Sequence, residues 1–297
     1  MITHPIVVGV DGSSESGSAA AIGWMLARAA GVRCQLVHAT HDASASFELA
    51  GSGAVTESLQ LALLAQARAE VGSTLGETVP AAVVDGMVVS TGGAQHVLDA
   101  VIAEMDASIL VLGGKHHSRL GRWLGGSTVQ NMVRRVNVPL LVTAGELRAR
   151  PRVLVAVDQS YAAAPTVRQA VAFAQLLGSP LRALHVIDPA PAIAELPRDW
   201  SREIVERDIW PIIPLVDEAK VMREGVPFDT IVSEATAWKA DVIVVGSHGK
   251  GWVDRLLIGS VTEDLLNNLP CAVLVVPVRQ HAEAAVEVET VTAPATG

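Results

Sequence analysis

Short runs of consecutive apolar, β-favouring residues alternate with longer stretches where apolar positions recur every three or four residues. Residues 5–10 form the first run, which stops at Asp11. An uninterrupted run bounded by turn residues predicts a strand buried on both faces. Ser16–Ala30 is rich in alanine and closed by Gly31, which predicts a helix with a glycine stop. Cys34–Ala39 follows as a second strand. Leu59, Leu63, Ala67 and Val71 then mark one face of a helix over Thr56–Leu75. The pattern continues with a strand at Ala81–Val89, a helix at Gln95–Met105 and a strand at Ser108–Leu112. A loop leads to Gly126-Ser127, then come a helix to about Arg135 and a fifth strand at Pro139–Val142. Strands alternating with helices predict βαβ units and a parallel sheet.

The pattern then occurs again. Ile6-Val7-Val8-Gly9-Val10-Asp11-Gly12-Ser13 corresponds to Val153-Leu154-Val155-Ala156-Val157-Asp158-Gln159-Ser160 at an offset of 147, which also carries Gly31 to Gly178 and His38 to His185. From Gly113/Gly246 through Gly126/Gly259 and Ser127/Ser260 to Val142/Val275 the offset is 133, so the second copy is 14 residues shorter between these blocks. Register kept through loops with one change of length indicates a duplicated domain. The expected units are 1–145 and 151–279, with Gly145–Pro151 as linker and 280–297 as an acidic, disordered tail. In the second copy Pro211 and Pro214 should cut short a helix around Trp200–Pro214. The two fifth strands lack the lysines that guard an exposed edge, so they are expected to pair within the chain around a pseudo-two-fold axis.

Composition narrows the function. Half of the 297 residues are apolar and only ten are aromatic, so the core must be aliphatic and stacking platforms for single-stranded nucleic acid are disfavoured. The net charge of −9 and the lack of a long basic run disfavour phosphate-backbone binding. The longest stretch without charge, Leu265–Val278, is 14 residues, too short for a membrane span. No signal peptide is evident, and Cys34 and Cys271 read as buried thiols, so the expected location is the cytoplasm.

Ligands of open parallel sheets bind beyond the carboxyl ends of the strands. There the second copy places Asp158, Val186 and Gly246. Gly246 opens a glycine-rich loop that closes at Gly259-Ser260, just before a helix. Ser260 or Thr262 is expected to cap that helix, and its free N–H groups and dipole favour a phosphate. An acidic residue at the end of strand one suits a ribose hydroxyl or a metal; the competing reading makes Asp158 a helix cap and the loop an ordinary turn. Neither a P-loop nor a GxGxxG fingerprint occurs. His38 and His185 read as hydrogen-bonded structural histidines, and Ser160 has no base at a spacing that supports a hydrolase triad.

Gly246-x2-Gly249-x9-Gly259-Ser260 resembles the nucleotide-binding signature of the universal stress protein family, and the chain resembles a tandem member over roughly 5–143 and 152–278. The resemblance implies two flavodoxin-like α/β sandwiches, each with strand order 3-2-1-4-5, and a regulator of stress, dormancy or growth that binds ATP, with magnesium as a candidate companion. It implies that Asp158 meets the adenosine, that Ala156, Val186 and Val245 line the adenine slot, and that Gly246, Gly249, Gly259, Ser260, Val261 and Thr262 surround ribose and phosphates. The matching residues of the first copy are Gly9, Asp11, Ala39, Leu112, Gly113, Gly126, Ser127, Thr128 and Val129, with His116 in place of Gly249. A protein partner and a homodimer are also expected. The alternatives are a slow ATP hydrolase or nucleotidyl-transfer enzyme, and a scaffold that works without nucleotide.

Overall fold

The computed structural model describes residues 2–40, 53–117, 122–124, 127–188, 202–247 and 258–277. The first half contains β1 (Ile6–Gly9), α1 (Ser14–Ala30), β2 (Cys34–Thr40), α2 (Gly53–Leu75), α3 (Ala81–Asp85), β3 (Val88–Thr91), α4 (Ala94–Glu104), β4 (Ile109–Gly113), β5 (Lys115–His117), β6 (Arg122–Leu124), α5 (Ser127–Arg135) and β7 (Leu140–Thr143). The second half contains β8 (Val153–Ala156), α6 (Ala163–Leu176), β9 (Leu181–Ile187), β10 (Lys220–Glu224), α7 (Pro227–Trp238), β11 (Val242–Gly246), α8 (Ser260–Asn267) and β12 (Ala272–Val276).

Ten strands form one sheet in the order β10-β9-β8-β11-β12-β7-β4-β1-β2-β3. Within each half the five strands are parallel and run 3-2-1-4-5, as expected. The halves join through the antiparallel pair β7–β12, with Val142 opposite Val273, Leu141 opposite Leu274 and Leu140 opposite Val275. Leu141 and Leu274 are equivalent positions of the two copies, so the pseudo-two-fold axis passes between them.

The strands are apolar on both faces because helices cover both. On one face Ile6, Val8, Val111, Leu141, Leu274 and Val244 pack under α1, α6 and the C-terminal end of α2. On the other, Val7, Leu110, Leu140, Val273, Ile243 and Leu154 pack under α4, α5, α7 and α8. Both apolar layers run across the junction, so the halves share their cores. The α1 helix starts at a Ser13 cap and stops at Gly31, whose φ of 68° satisfies the helix end in a conformation that glycine adopts without strain.

Two local expectations need correction, and a third, the early end of the helix before Pro214, holds. Ala81–Val89 is not one strand: after Pro80 the chain makes a five-residue helix, and the strand starts at Val88. Proline fixes a φ suited to helix entry, and alanines lower the cost of the turn. In the second copy, Val205–Ile209 winds as a π-helix and Trp210–Ile212 as a 3₁₀ turn, so the helix ends near Pro211 and before Pro214. The loop after β4 contains a hairpin, in which His116 of β5 lies opposite Trp123 of β6. The tail from 280 onward lies outside the described residues.

Candidate functional site

In each half the strand order reverses at the first and fourth strands, β1 beside β4 and β8 beside β11. A crevice opens at such a reversal because the following helices leave to opposite faces. Asp11 and Asp158 stand just beyond β1 and β8. Oδ1 of Asp11 accepts from the Ser13 amide at 3.1 Å and from the Ser13 hydroxyl at 2.5 Å. Oδ1 of Asp158 accepts from the Ser160 amide at 3.1 Å and from its hydroxyl at 2.5 Å. In the first half the serine hydroxyl caps α1, Ser13 Oγ accepting from the Ser16 amide at 3.2 Å; in the second Ser160 Oγ accepts from the Ala162 amide at 3.2 Å, in the turn that precedes α6. Neither Asp158 nor Ser160 caps α6; both bonds lie in the turn before it, and the N-cap Ala162 has no side-chain bond. The aspartate orients the serine through one oxygen and keeps Oδ2 outside these bonds.

Burial pushes the Asp11 carboxyl up, but the hydroxyl and amide of Ser13, the Ser16 hydroxyl and the Lys115 charge outweigh it and hold the group below the usual aspartate value. Lys115 opens the β5–β6 hairpin, so the first half's loop reaches its Asp11 electrostatically.

The fourth strands end at Gly113 and Gly246. A Cβ on Gly113 would lie 2.7 Å from the carbonyl oxygen of Glu15, so the first turn of α1 rests on this strand end and only glycine fits. At the second strand end the Thr262 hydroxyl donates to the Gly246 carbonyl at 2.8 Å, and the Gly259 amide donates to the Ser247 carbonyl at 2.9 Å. The base of the loop is therefore closed by two hydrogen bonds. Gly259 itself is the N-cap of α8 and offers no side-chain bond. The expected caps are thus corrected. Ser260 is already the first helical residue, and the Thr262 hydroxyl is committed to β11, so among the described residues the first-turn N–H groups of α8 have no side-chain cap.

Between these groups lies an apolar floor. Ala156, Val186, Val245 and Val261 join one packed layer with Ile258, and Ala39, Leu112 and Val129 do so in the first half. Thr262 is buried, Thr128 is half-buried and Ser127 is exposed. Gly9 lies under Leu112, whose Cδ2 would come within 2.5 Å of an added Cβ. The sequence-predicted residues within the described part therefore gather at the ends of β1, β2 and β4, or of β8, β9 and β11. Gly126 and Gly249 lie outside the described residues, and so do the basic loop residues Arg119, Lys250 and Arg255.

Sequence reasoning missed the orienting role of Ser13 and Ser160, the Thr262 tie and the hairpin. The Asp-x-Ser spacing present in both copies was the available signal for the first. His38 and His185 are held by carbonyls of the neighbouring strand segment, through Nδ1 to Val10 at 2.8 Å and to Val157 at 2.7 Å. Among the described residues no three His, Cys, Asp or Glu side chains converge as a metal site. Burial pushes both free thiols, Cys34 and the less enclosed Cys271, up to about 12. Among the described residues no helix is long and apolar enough to cross a membrane.

Fold and site geometry define a duplicated, doubly wound α/β protein joined through its fifth strands. The profile of the Universal stress protein family matches residues 3–144 and 150–277, and the chain belongs to that family. A universal stress protein of Mycolicibacterium smegmatis is 29% identical over 299 residues, covering 92% of this chain and 97% of that protein. One from Mycobacterium tuberculosis is 28% identical over 298 residues, covering 92% and 96%. Among solved structures, a putative universal stress protein of Pseudomonas aeruginosa shares the fold with a TM-score of 0.64 at 17% identity, covering 93% of each chain. A universal stress protein of Archaeoglobus fulgidus does so with a TM-score of 0.58 at 19% identity, covering 91% of this chain and 97% of that one.

Proposed function

We propose that the chain is an ATP-binding regulator whose nucleotide-dependent conformation is read by a protein partner. The observation that carries this reading is the pairing, at adjacent strand ends, of the Asp158–Ser160 turn with the N-terminus of α8, uncapped among the described residues, above the Ala156–Val186–Val245 floor. The three parts suit a nucleotide's three parts. An apolar floor holds a base, a carboxylate oxygen accepts from a ribose hydroxyl, and N–H groups at a helix start donate to phosphate oxygens without a basic pocket. ATP would supply the negative charge that the helix start attracts, and magnesium would travel with the phosphates. The first half offers the same set through Asp11, Leu112, Ala39 and the start of α5, with Lys115 added. Residues 1–145 and 151–279 act in this reading as two binding units, 280–297 as a tail, the homodimer as the working assembly and the cytoplasm as its place.

Mass spectrometry of small molecules released from the purified chain, followed by ATP titration, tests the reading. Asp158→Ala is expected to weaken binding about tenfold or more, since a charge-assisted hydrogen bond contributes roughly 1.5–3 kcal/mol. Its thermal stability without nucleotide should change little. Absence of any adenine nucleotide affinity would overturn the proposal in favour of the scaffold alternative, and release of ADP at a steady rate in favour of the hydrolase.

A further inference from the structure

The helices that begin at the two candidate phosphate positions touch each other. On α5 the fourth residue, Gln130, donates through Nε2 to Oδ1 of Asn267, the eighth residue of α8, at 2.8 Å. Arg134, the eighth residue of α5, reaches Oε1 of Glu263, the fourth of α8, at 3.3 Å. The offset of 133 carries Gln130 to Glu263 and Arg134 to Asn267, so the two contacts are one contact repeated by the pseudo-two-fold axis. Fourth against eighth means that the helices pass antiparallel. The first half touches α8 once more, because β6 of its hairpin packs against that helix.

We infer that the two candidate sites are coupled with positive cooperativity through the α5–α8 contact. The inference rests on the nucleotide-binding reading above and adds its regulation. A phosphate bound at a helix start acts on the whole helix along its axis, because the intrahelical ladder is stiff. The two helices are antiparallel, so each pulled toward its own ligand slides in the same relative sense past its partner. Both contacts resist that slide. The first nucleotide meets the cost of loosening them, and the second finds them already loosened, which makes the second binding tighter. The contacts are half-exposed, with Arg134 and Glu263 side chains at 35% and 44% exposure, so their resistance is modest. A coupling of about threefold to fivefold, or about 0.7–1 kcal/mol, is expected.

Hydrogen exchange on the full chain tests it with ATP as the probe. In the Asp11→Ala chain, at ATP concentrations that fill only the second half, amides 127–135 of α5 should exchange at least threefold faster than without ATP. In the Asp158→Ala chain the mirror experiment reads amides 260–267 of α8. Adding Gln130→Ala and Arg134→Ala should cut either response by at least half, and neither substitution touches a core position. Unchanged or slower exchange in the unliganded half's helix, with ATP bound in the other half, would overturn the inference and leave nucleotide binding standing. An unmodified chain that binds no ATP would overturn the binding reading, and this inference with it.

Discussion

Gly9 and Leu112 form a packing pair that the duplication solved in two ways. The first half sets glycine under leucine, and at the equivalent positions the second has Ala156 and the shorter Val245, which share one packed layer. Summed volume is kept while its division changes, which is the substitution that cores tolerate best. Gly9→Ala alone should cost about 1–3 kcal/mol from overpacking against Leu112, and Gly9→Ala with Leu112→Val should recover most of it. Urea melts of the single and double variants check this; equal losses in both would refute the pairing. Asp11 belongs to the same scale. Its folded-state value is held below the unfolded value of 3.8, so its contribution is present above pH 3.8 and is lost as pH falls through the lower folded value. The stability difference between the native chain and Asp11→Asn should therefore stay level near neutrality and shrink below pH 3.8. A difference that grows in acid would reverse the assigned direction.

At the scale of elements, α8 shows how one hydroxyl fixes a helix to a strand. Thr262 is buried and its hydroxyl bonds the last carbonyl of β11, whereas the equivalent position of the first half is Val129, also buried. Thr262→Val swaps the second half's solution for the first half's without changing shape. It should cost about 1 kcal/mol, the net worth of one hydrogen bond, and faster exchange at the Gly259 amide should accompany it. No loss in a denaturant melt would show that the bond contributes nothing. The helix at Ala81–Asp85 makes the complementary point. Four apolar residues and an aspartate read as a strand in isolation, but a run too short to show a period is decided by its ends. Here Pro80 starts a helical turn and Gly86 closes it. The hairpin after β4 was equally illegible, because Lys115–His117 and Arg122–Leu124 are each only three residues long.

At the scale of the whole molecule, the junction is core rather than contact. Leu141 and Leu274 are fully buried and face each other across the one pairing of the ten-stranded sheet that is antiparallel among the described residues. Leu274→Ala should cost about 2–5 kcal/mol and should lower protection of amides in β1 and β4 as well as β11, in one cooperative transition. Two separate transitions, with the first half unmoved, would show that the halves fold independently.

The sequence by itself determined the duplication, the βαβ order, the aliphatic core and the Asp, Gly and Ser positions at the strand ends. Those features are written locally: a buried parallel strand must be a continuous apolar run, and a strand end must turn through small or polar residues. It also implied that two bare fifth strands had to be covered. Only the tertiary structure decided the register, which sets Leu141 against Leu274 and so places the axis. Only it set Asp158 and Ser160 together in the turn before α6 with neither capping that helix, and gave the Thr262 hydroxyl to Gly246 rather than to its own helix. Only it brought Gln130 to Asn267 and Arg134 to Glu263. The reason is the same in each case. A hydrogen bond between groups far apart in the chain is chosen among several chemically equal partners by distance alone, and distance exists only once the layers have packed.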